Sequence, residues 1–241
     1  ETYTPTGTPT GAPTPTQTLT PTPTDTPIPP PTVTPTPTDY VEPTPTPMDG
    51  AVRLDVVADT TLNKWGPTEN LGNAQHLIVR QGDYRAALMQ FDISSIPAGS
   101  YVQQAVLQFY VDNRSNMGTM MASFYALHKP WREMEATWNQ AAAGQPWQVA
   151  GANGSADRDL SPAAWMTLDG AGKWFCLDIT PLVQGWVQNP SANYGLVIRG
   201  SGTASVEYEI ASREVEDVNK RPRLYVRHSA ASPTPTLSPT L

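Results

Sequence analysis

The side chains that could do chemistry are few and poorly arranged for catalysis. Three histidines, His76, His128 and His228, are scattered among apolar stretches with no H-x-x-x-H or His/Cys spacing, which argues against a transition-metal centre. No G-x-S-x-G elbow, Walker loop or dinucleotide fingerprint occurs. Paired carboxylates can run acid–base chemistry, but here Asp and Glu fall mostly in loops or at outward strand positions. No catalytic residue is assigned, and the chain reads as a non-enzyme. The single cysteine, Cys176, excludes an internal disulfide and sits in a strand-like run, as a small buried hydrophobe would. The one ion considered is calcium, which takes six to eight oxygen ligands. Asp59, Asn63, Glu69 and Asp178 could supply some of them, although no D-x-D-x-D-G loop is present. No other cofactor is expected.

Trp65, Trp131, Trp147 and Trp165 fall in expected loops. Two of them presenting flat faces on one surface could stack against sugar rings; as loop anchors they would instead be buried. Arg85, Glu133, Arg213 and Glu214 read as ion pairs tying sheet rims together, since a half-buried charge needs a partner. The alternative is a polar floor for a ligand. Two Asn-x-Ser sequons, Asn113-Arg-Ser115 and Asn153-Gly-Ser155, fall in expected loops. Better glycan candidates are the clustered threonines Thr14, Thr16, Thr22, Thr24, Thr34, Thr36, Thr44 and Thr46.

The elements that must hold these residues centre on Asp83 to Val111. Ala87, Met89, Phe91 and Ile93 alternate on one face, as do Ala105, Leu107, Phe109 and Val111. This predicts two half-buried strands whose pairing pauses at the Ser94–Ser100 turn and then resumes. Further strands are expected at Val52–Leu62, His76–Arg80, Met120–Leu127, Trp174–Ile179, Tyr194–Arg199, Val206–Ala211 and Arg223–Arg227. Between Trp138 and Gly172 a long Gly/Ala/Asp-rich segment should wrap a sheet face with its tryptophans as pins. Thr180-Pro181 starts a short helix through a hydroxyl cap, and Leu182, Val183, Trp186 and Val187 share its apolar face. The fold class is therefore all-β, a jelly-roll-like β-sandwich with one short helix.

Of the 241 residues, those at the two ends are of another kind. Glu1 to Met48 holds 15 prolines and 18 threonines and no Lys or Arg, and the last ten residues repeat that chemistry. Such segments bury too little apolar surface to offset the entropy of ordering them. Residues 1–49 read as an extended arm, O-glycosylated in composition, 50–229 as the folded domain, and 230–241 as a linker. At about 3.1 Å per residue the first arm could reach on the order of 150 Å. The net charge of −7 and the lack of a basic stripe argue against a nucleic-acid partner, and no apolar run is long enough to span a membrane.

The ordered series Asp59-Thr-Thr-Leu62, Asn70-Leu-Gly72, Arg85-Ala-Ala-Leu88, W-x-E-x-x-x-T-W from Trp131 to Trp138, Asp178-Ile-Thr180, Asn193-Tyr-Gly-Leu196 and Ser212-Arg-Glu214 resembles the DNRLRE-domain family of secreted β-sandwich modules. The resemblance spans about 170 residues. It implies a module appended to large surface proteins or polysaccharide-degrading enzymes, some relatives being carbohydrate-binding, and it brings no catalytic set. Arms at both ends favour an extracellular, cell-surface setting. The leading expectation is a non-catalytic structural subunit of a filament or stalk, a homopolymer joined by arm-to-domain contacts. The alternative is a carbohydrate-binding module of a larger secreted enzyme, with a polysaccharide as partner.

Overall fold

A computed structural model describes residues 50–230. The chain order is β1 (Val52–Asn63), β2 (His76–Arg80), β3 (Arg85–Phe91), β4 (Tyr101–Arg114), β5 (Met120–Ala126), the small hairpin β6 (Gln140–Ala142) and β7 (Gln145–Pro146), β8 (Ala164–Leu168), β9 (Lys173–Asp178), α1 (Thr180–Gln188), β10 (Leu196–Ser201), β11 (Glu207–Ala211) and β12 (Arg223–Ser229). Among the described residues all pairings are antiparallel except an isolated bridge from Gln81 to Gly200.

The strands close into a barrel where two separate sheets were expected. Six strands form the ring, in the order β1, β12, β4, β11, β2, β3 and back to β1; β10, β5 and β8 extend from β3, and β9 adds to β4. The closure comes from β1. Its first residues pair with β12, a bulge intervenes between Val56 and Ala58, and the rest pairs with β3. A bulge adds a residue and increases local twist, so one long strand can leave one layer and enter the next.

The central pair behaves differently from the hairpin expectation. Strand β3 has β1, β10 and β2 as neighbours, whereas β4 has β12, β11 and β9, so β3 and β4 do not pair. The Ser94–Ser100 turn instead crosses the barrel and is fastened to α1: Gly99 at φ 77° donates its N–H to the Val187 carbonyl, and the Val102 N–H donates to Gln184 Oε1. Strand β3 is also buried on both faces. Ala87, Met89 and Phe91 face the barrel core, while Ala86 and Leu88 face a second cluster with Leu62, Val197, Trp131, Trp138 and Trp147. The segment between β5 and β8 thus wraps the outside of β1, β3 and β10, pinned by tryptophans.

Helix α1 buries Leu182, Val183, Trp186 and Val187, each contributing about 1.5–3 kcal/mol through lost apolar exposure. Its start differs from expectation. Thr180 does not cap; its hydroxyl accepts the Ala105 N–H, and Asp178 Oδ1 accepts the Thr180 N–H. No helix among the described residues is long and apolar enough to cross a membrane.

Candidate functional site

Motifs that are distant in sequence meet at one buried point. Asp59 on β1 is 1% exposed. Its Oδ2 accepts the Arg213 backbone N–H at 2.8 Å, and its own N–H donates to Glu133 Oε1 at 2.8 Å. The Arg213 guanidinium bridges Glu133 Oε2 at 2.8 Å and Glu214 Oε1 at 3.4 Å. Around them Asn70 donates to the carbonyls of Glu133 and Ala136, and Gly72 lies so close to Glu133 that a Cβ would come within 2.5 Å of its carbonyl oxygen. The Ser212 hydroxyl donates to the Ala74 carbonyl. Asp59, Glu133 and Glu214 offer carboxylate oxygens within 4.8 Å of one another. Burial pushes the Asp59 carboxyl up to about 8; the Arg213 N–H opposes this, and Glu214 and Glu133 add to it. Glu214 is raised as well, by burial and then by the Glu133 charge.

Of the residues read as ion pairs, Glu133, Arg213 and Glu214 come together here and Arg85 does not. Arg85 lies elsewhere, sharing Glu207 with Arg80 at 3.3 and 3.5 Å. The expected calcium ligands also separate. Only Asp59 lies in the carboxylate cluster. Asn63 donates to Glu69 Oε2 and accepts the Trp65 N–H, which folds the loop after β1, and Asp178 is occupied at the start of α1. Their polar atoms serve local turns.

A second site lies at the β2–β3 turn. Gly82 and Asp83 both adopt positive φ, 78° and 65°, which turns the Asp83 side chain onto Arg199 of β10 as an ion pair. Arg199 is buried and also donates to the Gly151 carbonyl at 2.7 Å. Asn153 donates to Asp83 Oδ2 at 2.9 Å and accepts from Arg158, whose guanidinium lies 4.2 Å from the Tyr125 ring centre. Together with Gln81, Ser123 and Ser201 these side chains line a cavity of about 340 Å³. Directly beside it in the chain, Tyr84, 40% exposed, stacks on Trp65, 55% exposed, with centroids 5.1 Å apart and planes 24° apart. The Arg80 and Arg85 guanidinium groups lie 4.9 and 5.4 Å from the Trp65 ring.

This separates the four tryptophans. Trp131 and Trp147 are 8% and 4% exposed and cannot offer a ring face to a ligand. Their indole N–H groups donate to the Tyr194 and Thr137 carbonyls, as buried tryptophans require. Trp165 sits on β8 opposite Ser123, not in a loop, and is partly buried. Trp65 alone of the four is mostly exposed. Both sequons have defined places: Asn113 is exposed on β4, not in a loop, and Asn153 lies in a turn with its amide engaged as above. The threonine candidates Thr14 to Thr46 lie outside the described residues, as do the arms through which a homopolymer would form.

Asp83, Tyr84, Arg158 and Arg199 were not singled out from the sequence. One signal was available: Arg199 ends the apolar run Leu196-Val-Ile, and a charge in a strand buried on both faces must have a built partner.

Comparison with curated proteins returned no match. The family model for carbohydrate-binding module family 96 matches residues 50–228. It is a different family from the DNRLRE domain that the motifs resemble, and it favours the carbohydrate-binding alternative over a filament subunit. On a match covering most of its length, the chain belongs to carbohydrate-binding module family 96.

Proposed function

We propose that this domain is a non-catalytic module that binds a glycan chain across the β2–β3 turn. A sugar ring packs against the exposed part of the Trp65–Tyr84 pair while its neighbour reaches the polar cavity of Asp83, Asn153, Arg158 and Arg199. The observation that carries this reading is the pairing of two half-exposed, stacked aromatic rings with an adjacent cavity of fixed hydrogen-bonding groups. Sugars offer an apolar C–H face and a hydroxyl rim, and such a site matches both. Among the described residues the one carboxylate in the cavity, Asp83, is held by Arg199 and Asn153, so the lining they form has no pair of free acids for glycoside hydrolysis. In this reading the Thr/Pro-rich arms are extracellular spacers that hold the module away from whatever carries it.

Affinity electrophoresis of the full chain through gels containing a panel of polysaccharides tests the proposal. Retardation by at least one polymer, lost in Trp65→Ala and Tyr84→Ala and kept in Trp165→Ala, supports it. Retardation unaffected by either of the first two substitutions refutes this placement of the site.

A further inference from the structure

We propose that Asp59, Glu133 and Glu214 form a calcium site that locks β1 to the two loops reaching it. Three carboxylates meet there with Arg213 as the only cation bonded to them among the described residues, so ionising all three would leave a surplus of negative charge. The hydrogen bonds leave a defined remainder. Both Glu133 oxygens and Asp59 Oδ2 have N–H donors. Asp59 Oδ1 and Glu214 Oε2 are buried with no hydrogen-bond partner. An acceptor in that position is unfavourable, the more so when charged. A divalent cation satisfies both oxygens and offsets the charge at once.

The donor chemistry selects the ion class. All candidate ligands are carboxylate oxygens, which suits a hard cation. Among the described residues no histidine or cysteine belongs to the cluster, so no nitrogen or sulfur ligand is on hand for zinc. Calcium–oxygen bonds of about 2.3–2.6 Å let one ion bridge oxygens up to about 5 Å apart, which covers the 4.8 Å span. The partly exposed side of the cluster, where Arg213 and Glu214 lie, leaves room for water to complete the coordination shell. Bound there, the ion would tie β1 to the Trp131–Trp138 segment and to the loop after β11. The rival is a carboxylic proton shared between Asp59 and Glu214, which satisfies the same two oxygens without metal.

The full chain, stripped with a chelator and dialysed, is titrated with calcium chloride near neutral pH in a calorimeter and melted with and without the ion. The expected result is one calcium per chain and a Tm higher by roughly 5–10 °C at about a hundredfold excess over Kd. Glu214→Gln should lose both responses; Asp59→Asn serves as a second variant if the first lowers the calcium-free Tm. Absence of binding heat and of any Tm change in the wild-type chain overturns the proposal in favour of the shared proton. So does a calcium response that survives in folded Glu214→Gln and Asp59→Asn, because the ion would then sit elsewhere.

Discussion

Asp59 Oδ2 accepts the backbone N–H of Arg213 at 2.8 Å, a bond between residues 154 positions apart in the chain. It joins the strand that changes layers to the loop after β11, and Glu133 completes the junction by accepting from both Asp59 and Arg213. Glu133→Ala should therefore destabilise the domain by about 2–4 kcal/mol, seen as a lower urea midpoint. Arg213 is partly solvent-exposed, so most of that cost comes from the stranded Asp59 N–H and little from the ion pair. Glu133→Gln, which keeps an acceptor, should cost clearly less.

Gly72 tests the same junction sterically. A Cβ there would lie 2.5 Å from the Glu133 carbonyl oxygen. Backbone gives way less readily than a flexible side chain, so Gly72→Ala is expected to cost about 1–3 kcal/mol by overpacking, measured by chemical denaturation.

The tryptophans should divide into two classes. Trp138 and Trp147 are buried in the second cluster, and replacing either with Ala should cost about 3–5 kcal/mol. Trp65→Ala should change stability by less than about 1 kcal/mol, yet weaken glycan binding by roughly five- to tenfold, the loss of one stacking contact. Paired thermal melts and binding isotherms separate the two effects.

Asp83 holds a buried arginine. Asp83→Ala should leave Arg199 with only the Gly151 carbonyl, destabilising the domain and weakening glycan binding together, whereas Tyr84→Ala should weaken binding alone. Melts and isotherms of both variants, measured side by side, decide this.

Burial pushes the Cys176 thiol up to about 11 from 9.0. The folded state thus retains the thiol proton where the unfolded chain would lose it, so this group withdraws stability as pH rises above about 9. At pH near 8 the native thiol should react with a disulfide reagent roughly a hundredfold more slowly than the unfolded chain, in proportion to its thiolate fraction.

Much of the architecture was legible because strand faces follow a period of two. Ala87, Met89, Phe91 and Ile93, and likewise Ala105, Leu107, Phe109 and Val111, all lie in the barrel core as their alternation predicts. The pairing partners were not legible. A bulge at Val57 decides that β1 serves two neighbours, and nothing in Val56-Val57-Ala58 marks it. The double burial of β3 was within reach, since Ala86-Ala-Leu-Met89 is a continuous apolar run, as a strand covered on both faces should be. Strand β8 was lost because five residues inside a Gly/Ala/Asp-rich stretch give too short a pattern. At the carboxylate cluster the sequence points to the residues separately, Asp59 toward calcium and Glu133, Arg213 and Glu214 toward ion pairs. Their convergence depends on contacts spanning 74 to 154 residues, which local pattern does not carry. The cavity was missed because its makers, Asp83, Arg158 and Arg199, belong to no spacing motif and are joined only by the fold.

The seven tryptophans permit one direct test of the binding site. Their indole N–H resonances can be followed by two-dimensional NMR while the full chain is titrated with an oligosaccharide cut from whichever polymer retards it. The Trp65 signal should shift and saturate with ligand while those of Trp131, Trp138 and Trp147 hold still. A titration in which Trp65 stays fixed while another indole follows the ligand would contradict it.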